Sequence, residues 1–155
     1  MIAAGLIYEF GSDAPITDEG HRFFVLGDED RGILAAIVPV MLAGALPAGI
    51  AAVRDVLEGL DTAISGLTPS VQKDVAQLFM LLRFPLARMA ATGVMHPWHE
   101  ASASEIDGFL SRWRSSPVSK LRSAYDALHQ LIMASWYGNS ASWARIGYPG
   151  PPVLR

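Results

Sequence analysis

Apolar residues recur along much of the chain with the three- and four-residue spacing of amphipathic helices. Between residues 48 and 65 the charged side chains Arg54, Asp55, Glu58 and Asp61 lie off the apolar stripe. Gly66 then ends this predicted helix, and Thr68-Pro69 has the N-cap and first-turn proline that begin another. The stripe of the helix over residues 48–65 consists of Ile50, Val53, Leu57, Leu60 and Ile64.

The same pattern predicts three further helical segments downstream. Pro85 kinks or ends the helix that starts at Pro69, so residues 84–91 form either its continuation or a separate segment. Ser102 and Glu105 have the spacing of a capping box, which predicts a helix over residues 103–114. Ser116-Pro117 repeats the start signal, and the following helix runs to Tyr137.

Residues 32–53 form a stretch of 22 residues without a charge, preceded by an acidic cluster that favours a helix start near Asp28. By length this stretch could cross a bilayer, which needs about 20 residues. Pro39 and the Leu46-Pro47 turn signal favour instead a buried helix of about 18 residues followed by the start of another. Both interpretations stay open at this point.

Together these segments predict one all-α domain over residues 1–155, with about five helices in a bundle. The chain is long enough for one domain with a proper core. Residues 1–27 are predicted to be an irregular N-terminal arm, and residues 138–155 an extended C-terminal tail rich in aromatic residues, Pro and Gly.

The C-terminal segment has a composition that a simple helical domain does not need. Gly138-Asn139 is expected to end the last helix, since both residues tolerate the left-handed conformation. Such a tail either folds back on its own domain or lies on another protein, because large aromatic residues serve both cores and interfaces. Its large aromatic residues are Trp136, Tyr137, Trp143 and Tyr148.

The composition of the chain excludes several classes of function. The net charge is −3 with a pI near 5.7, which gives no electrostatic basis for binding nucleic acid. The chain has no cysteine, so it cannot build disulfides, Cys-type zinc sites, iron-sulfur clusters or c-type haem attachment. It is 51% hydrophobic and only 17% charged, against about 25% charged in a typical soluble domain. The excess apolar surface requires a buried helix, a membrane contact or a partner.

The sequence contains no clear catalytic, cofactor-binding or metal site. His96, His99 and Glu100 could hold a metal only if they converged, and Pro97 disfavours the helical turn that this needs. We interpret them as residues of a surface or interface loop, and His129 as a packing histidine. The chain also lacks a Gly-x-Ser-x-Gly elbow and a Gly-rich phosphate loop. A bundle that holds haem or a small ligand on one of the three histidines is an alternative.

The C-terminal part of the sequence resembles a known family. Four runs contribute to the likeness, which covers about the last fifty residues: Phe109-Leu-Ser-Arg-Trp-Arg114, Leu121-Arg-Ser-Ala-Tyr125, Ser135-Trp-Tyr-Gly-Asn-Ser-Ala-Ser-Trp143 and Ile146-Gly-Tyr-Pro-Gly-Pro151. They are similar to the small subunits of bacterial FAD-dependent sugar and alcohol dehydrogenases, the group of gluconate 2-dehydrogenase subunit 3 and the sorbitol dehydrogenase small subunit.

The resemblance implies a non-catalytic subunit that binds, stabilises and helps to export a large FAD-containing subunit of the glucose-methanol-choline type. It implies FAD in the partner, no cofactor in this chain, and a cytochrome c as candidate electron acceptor. Many family members carry a twin-arginine signal, which residues 1–27 lack, so a periplasmic location is expected by resemblance while a cytoplasmic one stays open. The expected partner interface consists of Trp113, Trp136, Tyr137, Trp143, Ile146, Tyr148 and Pro149.

Overall fold

The computed structural model describes residues 22–140, 142, 143, 147 and 149, and within these residues it is all-α, as predicted. Pro85, the residue that could kink or end the third helix, begins a separate one. The helices are α1 (Asp28–Met41), α2 (Ile50–Ser65), α3 (Pro69–Arg83), α4 (Pro85–Thr92), α5 (Ala103–Arg114) and α6 (Ser119–Tyr137).

The described part of the chain contains six helices rather than about five, because α3 and α4 are separate. Phe84 between them is extended, with φ −71° and ψ 120°. A residue that precedes proline is pushed out of the helical region by the proline ring, which breaks the helix at this position. Pro85 then occupies the first position of α4, where its missing N–H is not needed.

The uncharged stretch is divided between two helices, as the turn signals indicate. α1 ends at Met41, earlier than predicted, and turns connect it to α2. Gly49, the N-cap of α2, has a φ of +120°. Pro39 lies inside α1. Among the described residues, no helix combines the length and the hydropathy that crossing a membrane requires. The apolar side chains of α1 instead enter the core.

α2 and α6 form the most extensive contact between two helices, and a glycine brings their backbones together. A Cβ atom at Gly59 would lie 3.2 Å from the Cβ of Ser135 and 3.3 Å from its carbonyl oxygen. These positions allow only small side chains at the contact. α1 packs against α2, α3, α5 and α6 and so lies at the centre of the bundle.

Asp61 lies off the apolar stripe of α2, yet its carboxylate is fully buried and holds the segment before α1. The backbone N–H groups of Phe24, Val25 and Leu26 each donate to this carboxylate at 2.9 Å. Three consecutive N–H groups that converge on one anion form a favourable anion-binding arrangement. Residues 22–27, the described part of the predicted arm, are thereby fixed to α2 although they form no helix.

A second buried carboxylate secures the start of α1. Asp30 accepts the backbone N–H of Gly27 at 3.1 Å and a two-pronged contact from Arg83, with Nε to Oδ1 at 2.9 Å and Nη2 to Oδ2 at 2.5 Å. The hydrogen bond to Asp30 raises the pKa of Arg83. The acidic cluster at the helix start therefore joins α1 to the end of α3.

Candidate partner-binding surface

The segment after α6 turns back at Gly138 instead of continuing as an extended tail. α6 ends at Tyr137 with Gly138 as its C-cap, so the predicted helix end is confirmed, but Gly138 is right-handed, with φ −72°, and not left-handed as expected. A Cβ atom at Gly138 would lie 2.7 Å from the carbonyl oxygen of Ala134, which explains why glycine fits this position. Residues 140, 142 and 143 are helical. The chain is thus compact up to Trp143, and beyond it the structure describes only Gly147 and Pro149.

This turn places the indole of Trp143 against the backbone at the end of α6. The indole Nε1–H of Trp143 donates to the backbone carbonyl of Tyr137 at 2.7 Å, one of the carbonyl groups that the helix end leaves without an intrahelical partner. Trp143 is half-buried, and Tyr137 is 44% exposed. Buried Ser142 donates to the carbonyl of Asn139 at 2.7 Å and secures the turn. We call Tyr137 and Trp143 the aromatic surface.

Two of the residues expected at a partner interface belong to the core instead. Trp113 is 1% exposed and Trp136 is 3% exposed, so neither presents its ring to another protein in this fold. Trp136 continues the buried stripe of Leu128 and Ile132 along α6. Pro149 is exposed, whereas Ile146 and Tyr148 lie outside the described residues.

Three tryptophans share one structural role, which the sequence did not reveal. The indole N–H of Trp98 donates to the carbonyl of Leu82 at 2.9 Å, and that of Trp113 donates to the carbonyl of Ala91 at 2.7 Å. Together with Trp143 they satisfy carbonyl groups near the ends of α3, α4 and α6. The available signal for Trp98 was Pro85, since the helix break it causes leaves carbonyl groups near the end of α3 without intrahelical donors.

The loop between α4 and α5 carries the two histidines considered as metal ligands. His96 Nδ1 lies 2.9 Å from Glu105 Oε1, and His99 Nε2 lies 3.4 Å from Glu100 Oε1. His129 lies apart on α6, where its ring stacks on Tyr125 at 5.7 Å. Within the part of the chain that the structure describes, no three His, Asp or Glu side chains are grouped so that they could hold a metal ion.

The predicted capping box at the start of α5 is confirmed and extends to His96. Glu105 donates its backbone N–H to Ser102 Oγ at 3.2 Å and accepts the N–H of Ser102 at 3.1 Å. The hydrogen bond from His96, followed by that from the Ser102 backbone, lowers the pKa of Glu105 to about 2. The same contact with Glu105 raises the pKa of His96.

We expect the stabilising effect of the His96–Glu105 pair to depend on pH. Because the pKa of Glu105 is lowered, its contribution is present above its ordinary pKa of 4.5 and is lost as the pH falls toward about 2. Because the pKa of His96 is raised, its contribution is full below 6.5 and is lost as the pH rises through the raised value. The difference in Tm between the wild type and His96→Gln should therefore be largest between these two ordinary values.

The effect should be small because both side chains are in contact with solvent. His99→Gln is the matched control, since His99 lies in the same loop and its contact is longer. Melting curves followed by circular dichroism across the acid and neutral range measure both differences. A Tm difference for His96→Gln that does not change with pH would contradict the assignment of the pair.

Comparisons of the chain with protein-family models, with curated proteins and with solved structures found no match. The chemistry that the aromatic surface can offer is therefore inferred from its own residues. It presents a large ring on a fixed backbone turn, which suits contact with another protein surface.

Proposed function

We propose that this protein is a non-catalytic small subunit that binds and stabilises a large FAD-dependent sugar or alcohol dehydrogenase of the glucose-methanol-choline type. The observation that carries the proposal is the aromatic surface, which lies at the end of α6 within the sequence that resembles such subunits. The resemblance supplies the identity of the partner. The geometry supports a contact between proteins, because Tyr137 presents its ring on an ordered backbone.

Pre-organisation favours this surface as a binding element. The backbone of the turn is held by hydrogen bonds from Ser142 and Trp143, so a partner does not have to order it on binding. Tyrosine and tryptophan also bring large contact areas at a low cost in side-chain entropy, and both are common at the centres of interfaces. Tyr137 is therefore the residue of the described chain that we expect to contribute most to partner binding.

The surface of the described chain retains much apolar area, which supports a protein partner. Exposed large apolar side chains occur on several elements, and burying them against another chain would remove them from water. This distribution agrees with the high apolar and low charged content of the sequence. They are Phe24, Val25, Ile50, Val71, Met80, Phe84, Leu86, Met95, Val118 and Tyr137.

In this proposal the redox chemistry belongs to the partner. FAD and the catalytic residues lie in the large subunit, a cytochrome c is the candidate electron acceptor, and the complex is periplasmic. The small subunit contributes stability to the holoenzyme, since anything that binds only the folded large subunit shifts its folding equilibrium toward the native state.

The proposal expects a gene for a large flavoprotein beside the gene for this chain, and co-expression of the two proteins tests it. We expect the flavoprotein to co-purify through a tag on the small chain, and the double substitution Tyr137→Ala with Trp143→Ala to reduce recovery of active holoenzyme roughly tenfold or more. The large rings are the expected anchors, so their truncation should weaken binding without abolishing the fold of the isolated chain. Recovery is measured as flavin absorbance and dehydrogenase activity per amount of tagged chain.

Lys73→Ala is the control, because Lys73 is exposed on α3 and is not one of the apolar side chains that a partner would bury. It should leave recovery of the holoenzyme unchanged. The proposal is contradicted if no flavoprotein is encoded nearby, if none co-purifies, or if the control lowers recovery as much as the double substitution does.

A further inference from the structure

Arg88 on α4 is a buried arginine whose guanidinium is not matched by an acidic group. The residue is 7% exposed, and its Nε atom is buried with no hydrogen-bond partner in the described part of the chain. The nearest aromatic group is Trp98, whose ring centre lies 5.9 Å from the Arg88 Cζ atom. The ion pairs formed among the described residues involve Arg31 and Arg83, and His96 and His99 each lie close to a glutamate.

The Nε atom of Arg54 is also buried without a hydrogen-bond partner among the described residues, but Arg54 as a whole is only half-buried, and the other buried charged residues are matched. Asp30 is bonded to Arg83, and Asp61 accepts three backbone N–H groups. A buried charge is costly unless it is paired or hydrogen-bonded. The contact with Trp98 lies near the outer limit of about 6 Å for a cation–π interaction, so it offsets only part of that cost for Arg88.

We infer that Arg88 receives a carboxylate from an acidic side chain of the partner subunit. This inference rests on the proposed function, and it names a second contact between the two chains besides the aromatic surface. A guanidinium matches a carboxylate in charge and in planar geometry, and arginine is enriched at interface centres. Phe84, four residues before Arg88 at the start of the same helix, is 62% exposed, so a partner that covers this end of α4 also buries apolar surface.

A protein side chain suits this position better than a free small anion does. A free anion loses its translational freedom for a single ion pair, which makes its binding weak. The acidic side chain of a partner that is already docked at other contacts is held at a high effective concentration, so the same ion pair contributes fully to the complex. The inferred contact therefore predicts weak binding of free carboxylates and strong dependence of the complex on Arg88.

Substitution of Arg88 in the complex tests the inference. Arg88→Met should weaken binding of the flavoprotein about 30-fold or more and reduce the salt dependence of Kd, since it leaves the partner carboxylate unpaired. Arg88→Lys keeps the charge but loses the planar guanidinium, so its Kd should lie between those of the wild type and Arg88→Met. Arg114→Met, on an exposed arginine of α5, is the matched control and should leave Kd unchanged.

The isolated chain separates this inference from a structural role and from the proposed function. Removal of an unmatched buried cation should leave the Tm unchanged or raise it. In NMR spectra the Nε–Hε signal of Arg88, identified by its loss in Arg88→Lys, should move when sodium acetate is added but not with sodium chloride at equal ionic strength. If no flavoprotein binds even the wild type, the proposed function fails, while the acetate titration still decides whether Arg88 takes a carboxylate. The inference is overturned by unchanged Kd in Arg88→Met, by a lowered Tm, or by the absence of an acetate-specific shift.

Discussion

Replacing Asp61 by alanine is expected to lower the free energy of unfolding by roughly 3–5 kcal/mol, the largest loss for any single polar side chain of the core. Its carboxylate accepts three backbone N–H groups from residues 24–26, and each buried donor left without an acceptor costs about 1–3 kcal/mol. Part of that cost is relieved if the segment detaches and becomes hydrated. Urea unfolding followed by far-UV circular dichroism measures the loss.

Two further variants make this result interpretable. Asp61→Asn keeps one carbonyl oxygen and should show an intermediate loss, which remains measurable if the alanine variant does not fold. Asp55→Ala removes an exposed carboxylate from the same helix and should change stability by less than about 0.5 kcal/mol. If Asp61→Ala loses no more than Asp55→Ala, the three hydrogen bonds do not hold the segment.

Replacing Trp113 by alanine is expected to lower the free energy of unfolding by about 3–5 kcal/mol. Its ring packs perpendicular to Phe109 with centroids 4.9 Å apart, so truncation leaves a large cavity between α5 and its neighbours. The same change removes the indole N–H that donates to the carbonyl of Ala91 near the end of α4. Thermal and urea unfolding of the isolated chain measure the effect.

Trp113→Phe separates the two contributions, because it keeps most of the ring volume but loses the N–H. We expect this change to lower the free energy of unfolding by about 1–3 kcal/mol, because the carbonyl of Ala91 is left without its donor. Tyr137→Ala is the surface control and should stay within about 0.5 kcal/mol of the wild type. A loss for Trp113→Ala as small as that for Tyr137→Ala would show that the indole is not a core residue. A loss of partner binding in Trp113→Ala would in turn report unfolding rather than a missing contact.

Local signals predicted most of the fold. The capping box of Ser102 and Glu105 places the start of α5 correctly, because its hydrogen bonds join residues only three apart. Thr68 is the N-cap and Pro69 the first residue of α3, as predicted, although Thr68 makes no side-chain capping hydrogen bond. Pro85 predicts a break in the helix. Whether the chain then resumes as a separate helix depends on the packing of α4 against α3 and α5, and this packing is not a local property of the sequence.

Burial of individual side chains could not be predicted in the same way. Asp61 lies off the apolar stripe of α2, and the backbone N–H groups that donate to its carboxylate are 35 to 37 residues away in sequence. Trp136 looked like an interface anchor because it adjoins a Gly- and Pro-rich segment. It is buried because α6 packs against α1, α2 and α5 and so hides more of its circumference than one heptad stripe. Such outcomes depend on which helices meet, and periodicity alone does not contain that information.

The close approach at Gly59 and Ser135 limits how this sequence can drift over evolutionary time. With 3.2 Å between a Cβ at position 59 and the Cβ of Ser135, the two positions share one small volume. A larger side chain at one position requires a smaller one at the other, or α2 and α6 must move apart at this contact. Positions 59 and 135 are therefore sterically coupled, and their residues should change together among descendants that keep this architecture.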